Sequence, residues 1–376
     1  MPRVLLAFEP PDGGVAENVA QLAHGLGAHG WDVALAGPQD ALPYVDLEPR
    51  GVPIHRLSFR RGYGNPGADA AALRGLLDLL RDDPPDLLHC HSAKAGVLGR
   101  IAARMTGTPV IYTPHCFPFI GEFGAPRRLF ATTTERILGR LGGDIICVCE
   151  DERRIGLAVK VAPADALHVV HNGCGPAPDV EADPAVAALQ AQGPTAAAIA
   201  VLREQKSLHV LVDAVPIVLA KVPDARIAIV GDGPLRDQLH AHAARLGLDT
   251  DERFAFLPFH APSARALRAL DVYVLPSSWE AFPIGVLEAL ACGVPQVATD
   301  VGGTGEAVTR ETGRMVPPHD PHALAEALAE LLADEAKRRA MSEASRARHA
   351  EHFGIEKMVA ATAKVYETAL RRAGRS

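Results

Sequence analysis

Short apolar runs recur along this chain at intervals that leave room for a helix between them. That rhythm limits the fold more than any single motif. RVLLAF (3–8), WDVALAG (31–37), DLLHCH (86–91), PVIYTPH (109–115), DIICVC (144–149) and ALHVVHNG (166–173) read as strands separated by helical segments. After a loose stretch rich in Pro, Ala and Asp (176–194), the rhythm restarts with TAAAIAVL (195–202). It continues through ARIAIVGDG, RFAFLPF, DVYVLPS, PQVATDVGG and GRMVPP. Strands that are apolar throughout, rather than at alternate positions, belong to parallel sheets covered on both faces. The expected fold class is therefore α/β: two Rossmann-like, doubly wound parallel-sheet domains facing a central cleft. The boundaries read as 1–176, a linker at 177–194, 195–355, and a last helical segment at 356–376 that packs back toward the first domain. Ligands in such folds bind beyond the carboxyl ends of the strands, so the cleft is the expected active site.

Composition removes several classes. A chain of 376 residues with 48% apolar and 22% charged content is globular rather than disordered. Its net charge of −7 leaves no cation excess for a phosphate backbone, which argues against a general nucleic-acid binder. The first ten residues, MPRVLLAFEP, lack the length and cleavage pattern of a secretory signal, and no apolar stretch has the ~18 residues that a bilayer span needs. The expected location is the cytoplasm, with at most peripheral contact with a membrane from that side. Six scattered cysteines, with Cys147 and Cys149 two apart, fit neither a zinc ribbon nor a thioredoxin motif.

Two motifs are decoys. GLGAHG (25–30) has the letters of a dinucleotide fingerprint but follows a helical stretch and precedes a strand, the reverse of what that fingerprint requires. Its glycines read as a helix end. DTD (249–251) has the spacing of a metal-holding Asp-x-Asp but sits in a polar loop. No Gly-x-x-x-x-Gly-Lys-Ser/Thr loop occurs, so phosphoryl transfer from ATP has no support.

The segment SSWEAFPIGVLEALACG (277–293) carries the chemistry. Glu280 precedes a helix whose first turn should hold Pro283 and whose end should be Gly293; Glu288 lies inside it. Treated as one helix, the two carboxylates are offset by about 80° and roughly 12 Å along the axis. They cannot share a proton, but they can hold two separate points on one long ligand. Between them a helix N-terminus offers N–H groups and a positive dipole end to an anion, with Phe282, Pro283, Ile284 and Gly285 bringing no charge to compete. A diphosphate at the helix mouth with a hydroxyl-bearing ring on either side describes a nucleotide sugar. The ordinary alternative is two exposed helix residues, yet Glu288 is a lone charge in an apolar stretch. Gly13 and Gly14 open a helix after the first strand and offer a second backbone anion site, or only a tight turn. Lys206 in VLREQKSL follows the first strand of the second half, where a lysine is either a surface residue or a phosphate counter-charge.

Together these segments resemble the retaining glycosyltransferases of the two-domain GT-B fold often called GT4. EAFPIGVLEALACGVPQVATDVGG looks like the family's E-x7-E motif, GRMVPPHDPHALAEAL like its sequel, EQKS like its lysine loop, and VVHNG like the end of its first domain. The resemblance implies a hexosyl transfer from a nucleoside-diphosphate sugar, UDP-sugar favoured, to an acceptor hydroxyl, without metal or cofactor. It makes Glu280 a clamp on donor-sugar hydroxyls, Glu288 a clamp on ribose hydroxyls, and Lys206 the diphosphate counter-charge. Gly14 and the helix starting near Phe282 become backbone donors. His115 would sit beneath the transferred sugar, and Asn172 of VVHNG joins the substrate-binding set. Without the family, His115 reads as a satisfied core histidine. Retention allows either a covalent adduct on a carboxylate or attack from the leaving-group face. With Glu280 as a clamp, the second is the expected route.

Two positions depart from the family. Where an arginine is usual, five residues before the lysine, this chain has Val201; Arg203 lies two positions on, and on the same face if the strand continues. Pro258 stands where many relatives have glycine near the nucleobase. These departures keep an inactive nucleotide-sugar binding module in view, and a sugar-nucleotide epimerase shares the architecture. HCHSAKAGVLGRIAAR and YTPHCFPF look most like family members that build bacterial surface polysaccharides on lipid carriers. The acceptor is left open between a lipid-linked saccharide and a small molecule. Phe117, Phe119, Ile120 and Phe123 followed by Arg127 and Arg128 form a candidate membrane wedge, with core packing as the competing reading.

Overall fold

A computed structural model describes residues 1–60 and 65–375. Its first sheet contains β1 (Arg3–Phe8), β2 (Asp32–Gly37), β3 (Ile54–Arg56), β4 (Leu87–His91), β5 (Val110–Thr113), β6 (Asp144–Cys147) and β7 (Leu167–Val169). All pairings are parallel, in the order β3-β2-β1-β4-β5-β6-β7. The connections carry α1 (Gly13–Leu26), α2 (Tyr44–Leu47), α3 (Pro66–Asp82), α4 (Ala93–Thr106), α5 (Ala125–Gly139) and α6 (Glu150–Ala158). Strand β1 shows why its sequence is apolar throughout. Val4, Leu6 and Phe8 join one buried layer with Val19 and Leu22 of α1, while Leu5 and Ala7 join another with Leu76 and Leu80 of α3. Successive side chains point to opposite faces, and both faces are covered.

The second sheet contains β8 (Thr195–Ile199), β9 (Arg226–Val230), β10 (Phe254–Leu257), β11 (Val272–Leu275), β12 (Gln296–Thr299) and β13 (Gly313–Val316), again all parallel, in the order β10-β9-β8-β11-β12-β13. Its helices are α7 (Pro184–Gln190), α8 (Leu208–Lys221), α9 (Arg236–Arg245), α10 (Ala264–Leu267), α11 (Ile284–Cys292), α12 (Thr304–Ala307), α13 (Pro321–Ala333) and α14 (Glu335–Arg348). In each sheet the strand order reverses once, between β1 and β4 and between β8 and β11, and doubly wound folds place ligands at such points.

The chain divides into two compact units, Met1–Gly173 together with the last helix α15 (Ile355–Arg372), and Cys174–Gly354. On α15, the Tyr366 hydroxyl lies 2.6 Å from Nδ1 of His89, the Tyr366 ring sits 5.0 Å from that of Trp31, and Arg372 pairs with Asp144 at 2.7 Å. The segment read as a loose linker differs from that expectation. Asp183 caps α7 by accepting the Ala185 and Val186 N–H groups at 2.9 and 3.3 Å, and its other oxygen lies 2.7 Å from His260. Asp followed by Pro is an N-cap and first-turn signal, so these residues belong to the second unit rather than to a tether. No helix among the described residues is long and apolar enough to cross a membrane.

Candidate active site

In the second unit, the loops leaving β8 and β11 flank the point of reversal and are joined to one another. The Ser278 N–H donates to the Gln205 carbonyl at 2.9 Å, and Gln205 Nε2 donates to the Trp279 carbonyl at 3.0 Å. The Ser207 and Ser278 hydroxyls share a short hydrogen bond. Ser207 adopts a left-handed φ of 43° as the chain turns from Lys206 into α8. These ties hold Glu280 in place. Its Oε1 receives Lys206 Nζ at 2.6 Å and the Ser277 hydroxyl at 2.8 Å, and its Oε2 receives Gln205 Nε2 at 3.2 Å. Only 7% of Glu280 is exposed, and a carboxylate so buried needs this donor set. Lys206 is therefore already paired with the carboxylate, while its ammonium has three N–H groups to offer.

Helix α11 begins one residue later than expected. Pro283 is the N-cap, with φ −72° and ψ 121°, and Ile284 is the first helical residue. Glu280 thus lies in extended loop, and the 80° offset expected for a continuous helix does not apply. Glu288 sits about one turn into α11 and is half-buried. The first-turn N–H groups of Ile284 and Gly285 have no acceptor within the helix, and the first turn carries no acid. Phe282 is buried with its ring 5.5 Å from that of Phe353, so it anchors the helix start rather than facing a ligand with its side chain. A Cβ on Gly285 would lie 2.6 Å from the Tyr273 hydroxyl, so the residue is glycine because the tyrosine occupies that space. Burial, and then the charges of Glu288 and Glu280, raise the Tyr273 phenol far above its usual range. Gly302, at φ 54°, brings the VGG turn against the Glu280 carbonyl where any side chain would collide.

In the first unit, Gly13 opens α1 directly after the β1 loop with φ 76°, and nothing lies within 4 Å of where its side chain would be. Gly14 follows in the first turn of that helix. His115 lies two residues beyond β5 at φ 56°, and Cys116 follows at φ 148°. Non-glycine residues held left-handed in succession cluster at functional sites. The His115 ring stacks on His91, with Nε2 lying 3.0 Å from Nδ1 of His91. His91 in turn lies 3.9 Å, ring to ring, from His89. Burial pushes His115 down to about 3 and holds His89 and His91 well below the imidazole range, so all three are neutral at physiological pH. The Nε2 of His91 is buried and has no hydrogen-bond partner among the described residues. Asn172 is buried and accepts from Asn18 of α1 at 3.1 Å, which ties the loop after β7 to that helix.

Residues 13–173 match the family described as glycosyl transferase 4-like domain, and residues 179–348 match glycosyl transferases group 1. The phosphatidyl-myo-inositol mannosyltransferase of Mycobacterium leprae is 31% identical over 88% of this chain and 87% of that enzyme. The chain belongs to this glycosyltransferase family. An Escherichia coli UDP-Gal:alpha-D-GlcNAc-diphosphoundecaprenol alpha-1,3-galactosyltransferase is 28% identical over 65% of this glycosyltransferase and 65% of its own length. The crystal structure of HepE from Anabaena in complex with UDP and glucose has the same GT-B fold, with a TM-score of 0.79 at 20% identity, covering 98% of this chain and all of that one.

The remaining sequence features of the glycosyltransferase fall into place by their local structure. GLGAHG ends α1 and turns through Gly30 at φ 81° into β2, and Asp251 of DTD is held by the Arg253 guanidinium at 2.7 Å. No group of three His, Cys, Asp or Glu side chains among the described residues could hold a metal ion. Strand β8 is bounded at Ile199, yet the Ala200 and Leu202 N–H groups go on donating to the Val230 and Asp232 carbonyls at 3.0 Å, and Arg203 is extended at φ −127° and ψ 158°, as an alignment of Arg203 with Val201 requires. Arg203 is half-buried at the start of the lysine turn, and Val201 is 44% exposed. The aromatic wedge is corrected. Phe117 and Phe119 are buried and stacked at 5.0 Å in the core, Ile120 packs against the same core, and Arg127 covers the Phe123 ring at 3.8 Å. Sequence reasoning missed Gln205, Ser277, Tyr273 and His91. For His91 a signal existed, since His89 and His91 are two apart on one strand and share a face.

Proposed function

We propose that this glycosyltransferase moves a hexosyl unit from a UDP-sugar to an acceptor hydroxyl with retention of configuration and without a metal. The observation that carries the reading is the Glu280 carboxylate, buried among Lys206, Gln205 and Ser277 beside the acid-free start of α11. A donor diphosphate takes the Ile284 and Gly285 N–H groups and the remaining Lys206 protons. Glu280 then accepts from sugar hydroxyls, and Glu288, one turn along, from ribose hydroxyls. Arg203 adds charge in place of the arginine absent at Val201. In the first unit, Gly13 and Gly14 offer backbone donors, and neutral His115 accepts from or donates to the transferred sugar.

In the transfer, the bond from the anomeric carbon to the diphosphate oxygen breaks, the acceptor oxygen bonds that carbon, and its proton passes to the departing diphosphate. The three donors around Glu280 favour a clamp over a nucleophile, because a covalent adduct would require the carboxylate to abandon them. UDP is favoured by the names of the Escherichia coli relative and the HepE complex. A lipid-linked saccharide is the acceptor this reading favours, in line with the name of that relative, and a small molecule such as an inositol phosphate is the alternative, in line with the D-inositol 3-phosphate glycosyltransferases.

Thermal stabilisation and nucleotide release across UDP-glucose, UDP-galactose, UDP-N-acetylglucosamine and GDP-mannose test the donor, since a bound ligand raises stability by mass action. At least one UDP-sugar should stabilise the protein and be hydrolysed slowly, with or without EDTA. A product of inverted configuration, or activity lost to EDTA and restored by magnesium, would overturn the mechanism. Arg203→Ala should weaken donor binding roughly tenfold; unchanged affinity rejects the role given to Arg203.

A further inference from the structure

Two histidines of β4 lie on one face of the sheet and are used differently. Both ring nitrogens of His89 meet hydroxyls, Nδ1 that of Tyr366 at 2.6 Å and Nε2 that of Thr113 at 2.7 Å, so its hydrogen bonding is complete inside the core. His91 is also fully buried, yet among the described residues it has one hydrogen bond, from Nδ1 to Nε2 of His115 at 3.0 Å, and its Nε2 has none. An apolar ring would fill that space without burying a polar nitrogen that lacks a partner. What the imidazole adds is the bond to His115. The strand register pairs His91 with Thr113, and the left-handed turn at His115, φ 56°, lays its ring on that of His91 with centroids 5.3 Å apart. His115 is partly exposed, and among the described residues this bond is the one it makes, so its Nδ1 is left for a ligand.

We propose that His91 is a positioning residue for the transfer: it orients the His115 ring and fixes its proton on Nδ1, so that His115 donates to an oxygen of the transferred sugar. This rests on the reading that sets the sugar against His115. Both rings are neutral, so one proton lies between them, and the ring that owns it decides both tautomers. Were it on Nε2 of His115, the proton of His91 would sit on its own Nε2, a buried N–H with no acceptor. With the proton on Nδ1 of His91, only a bare lone pair is left there, and orphaned N–H groups are the rarer of the two in protein interiors. Nε2 of His115 then accepts, and the remaining ring proton is on Nδ1, facing no partner among the described residues. A sugar hydroxyl held this way accepts from His115 and keeps its own proton to donate elsewhere, as to a carboxylate.

Long-range proton–nitrogen NMR correlations on protein carrying isotope-labelled histidine test the tautomers without a ligand. The His115 signals, assigned by their loss in His115→Asn, should show a protonated Nδ1 and a bare Nε2, and His91 should show the same pattern. Hydrolysis of the UDP-sugar that the donor panel identifies tests the role. His91→Phe fills the ring space without a nitrogen and should lower kcat roughly tenfold with little change in KM, while the His115 tautomers become mixed. His91→Asn sets an amide where Nδ1 stood and should recover most of that loss. A wild-type His115 protonated on Nε2, a wild-type kcat in His91→Phe, or an equal loss in the Phe and Asn variants would overturn the proposal. A wild-type kcat in His115→Ala would instead remove the sugar contact itself, and so the reading beneath it.

Discussion

The Lys206 ammonium lies 2.6 Å from Oε1 of Glu280, joining the loops that leave the two strands on either side of the sheet's point of reversal. Each group is placed by the other: the carboxylate orders the lysine, and the lysine offsets part of the cost of burying the carboxylate. Removing one partner therefore does two things at once. Lys206→Ala should lower kcat/KM by roughly a hundred- to a thousandfold, through loss of leaving-group stabilisation and a displaced Glu280. Adding Glu280→Gln to that variant should cost much less than it costs alone. Strictly additive losses in this double-mutant cycle would show that the two residues act separately.

The start of α11 offers a sharper test of backbone recognition. Gly285→Ala places a methyl against the Tyr273 hydroxyl at 2.6 Å, and also narrows the surface over the first-turn N–H groups. Tyr273→Phe removes the collision without touching that surface. If a diphosphate lies on these N–H groups, Gly285→Ala should weaken donor binding by at least tenfold, and the double variant should regain thermal stability but not affinity. Recovery of both, measured by calorimetry and melting, would mean that Gly285 serves packing alone.

The fold class was legible because parallel strands buried on both faces leave continuous apolar runs, as Val4 to Phe8 does in β1. Glu280 and Lys206 were legible as residue types at the ends of neighbouring strands, but not as contacts. Nothing in a sequence says that Lys206 reaches a carboxylate 74 positions away, or that Gln205 supplies a further donor. Tyr273 was hidden because an aromatic in a strand looks like core. The aromatic segment 117–123 misled for a related reason. Phenylalanines beside arginines suit both a membrane edge and a core, and only tertiary packing distinguishes the two.

The buried pair Arg100–Glu135 makes a stability prediction. Both side chains are almost fully buried, the Tyr112 hydroxyl donates to the same carboxylate at 3.3 Å, and the guanidinium lies 4.1 Å over the Tyr112 ring. Glu135→Ala leaves a guanidinium without its counter-charge and should cost about 3–5 kcal/mol in urea unfolding. Replacing both residues with leucine should restore much of that loss, because no uncompensated charge is left inside. A double variant less stable than Glu135→Ala would contradict this account.

Glu152 sets a pH dependence whose sign is opposite to that of a salt-bridged acid. Its side chain is buried at the start of α6, where Oε2 accepts the Val148 N–H at 2.8 Å. Burial pushes its carboxyl up to about 8, against the opposing pull of the Val148 and Phe117 N–H groups. The folded protein keeps this proton to about pH 8, whereas the unfolded chain releases it near 4.5, so unfolding releases a proton anywhere between. The stabilising contribution is therefore complete below pH 4.5 and is lost as pH climbs toward 8. Glu152→Gln keeps the acceptor and removes the titration. Wild type should lose stability relative to this variant between those limits, by an amount on the order of a few kcal/mol. Urea unfolding at pH 5 and at pH 8.5 measures the difference, and a gap that stays constant between the two would mean that Glu152 is ionised in the folded protein.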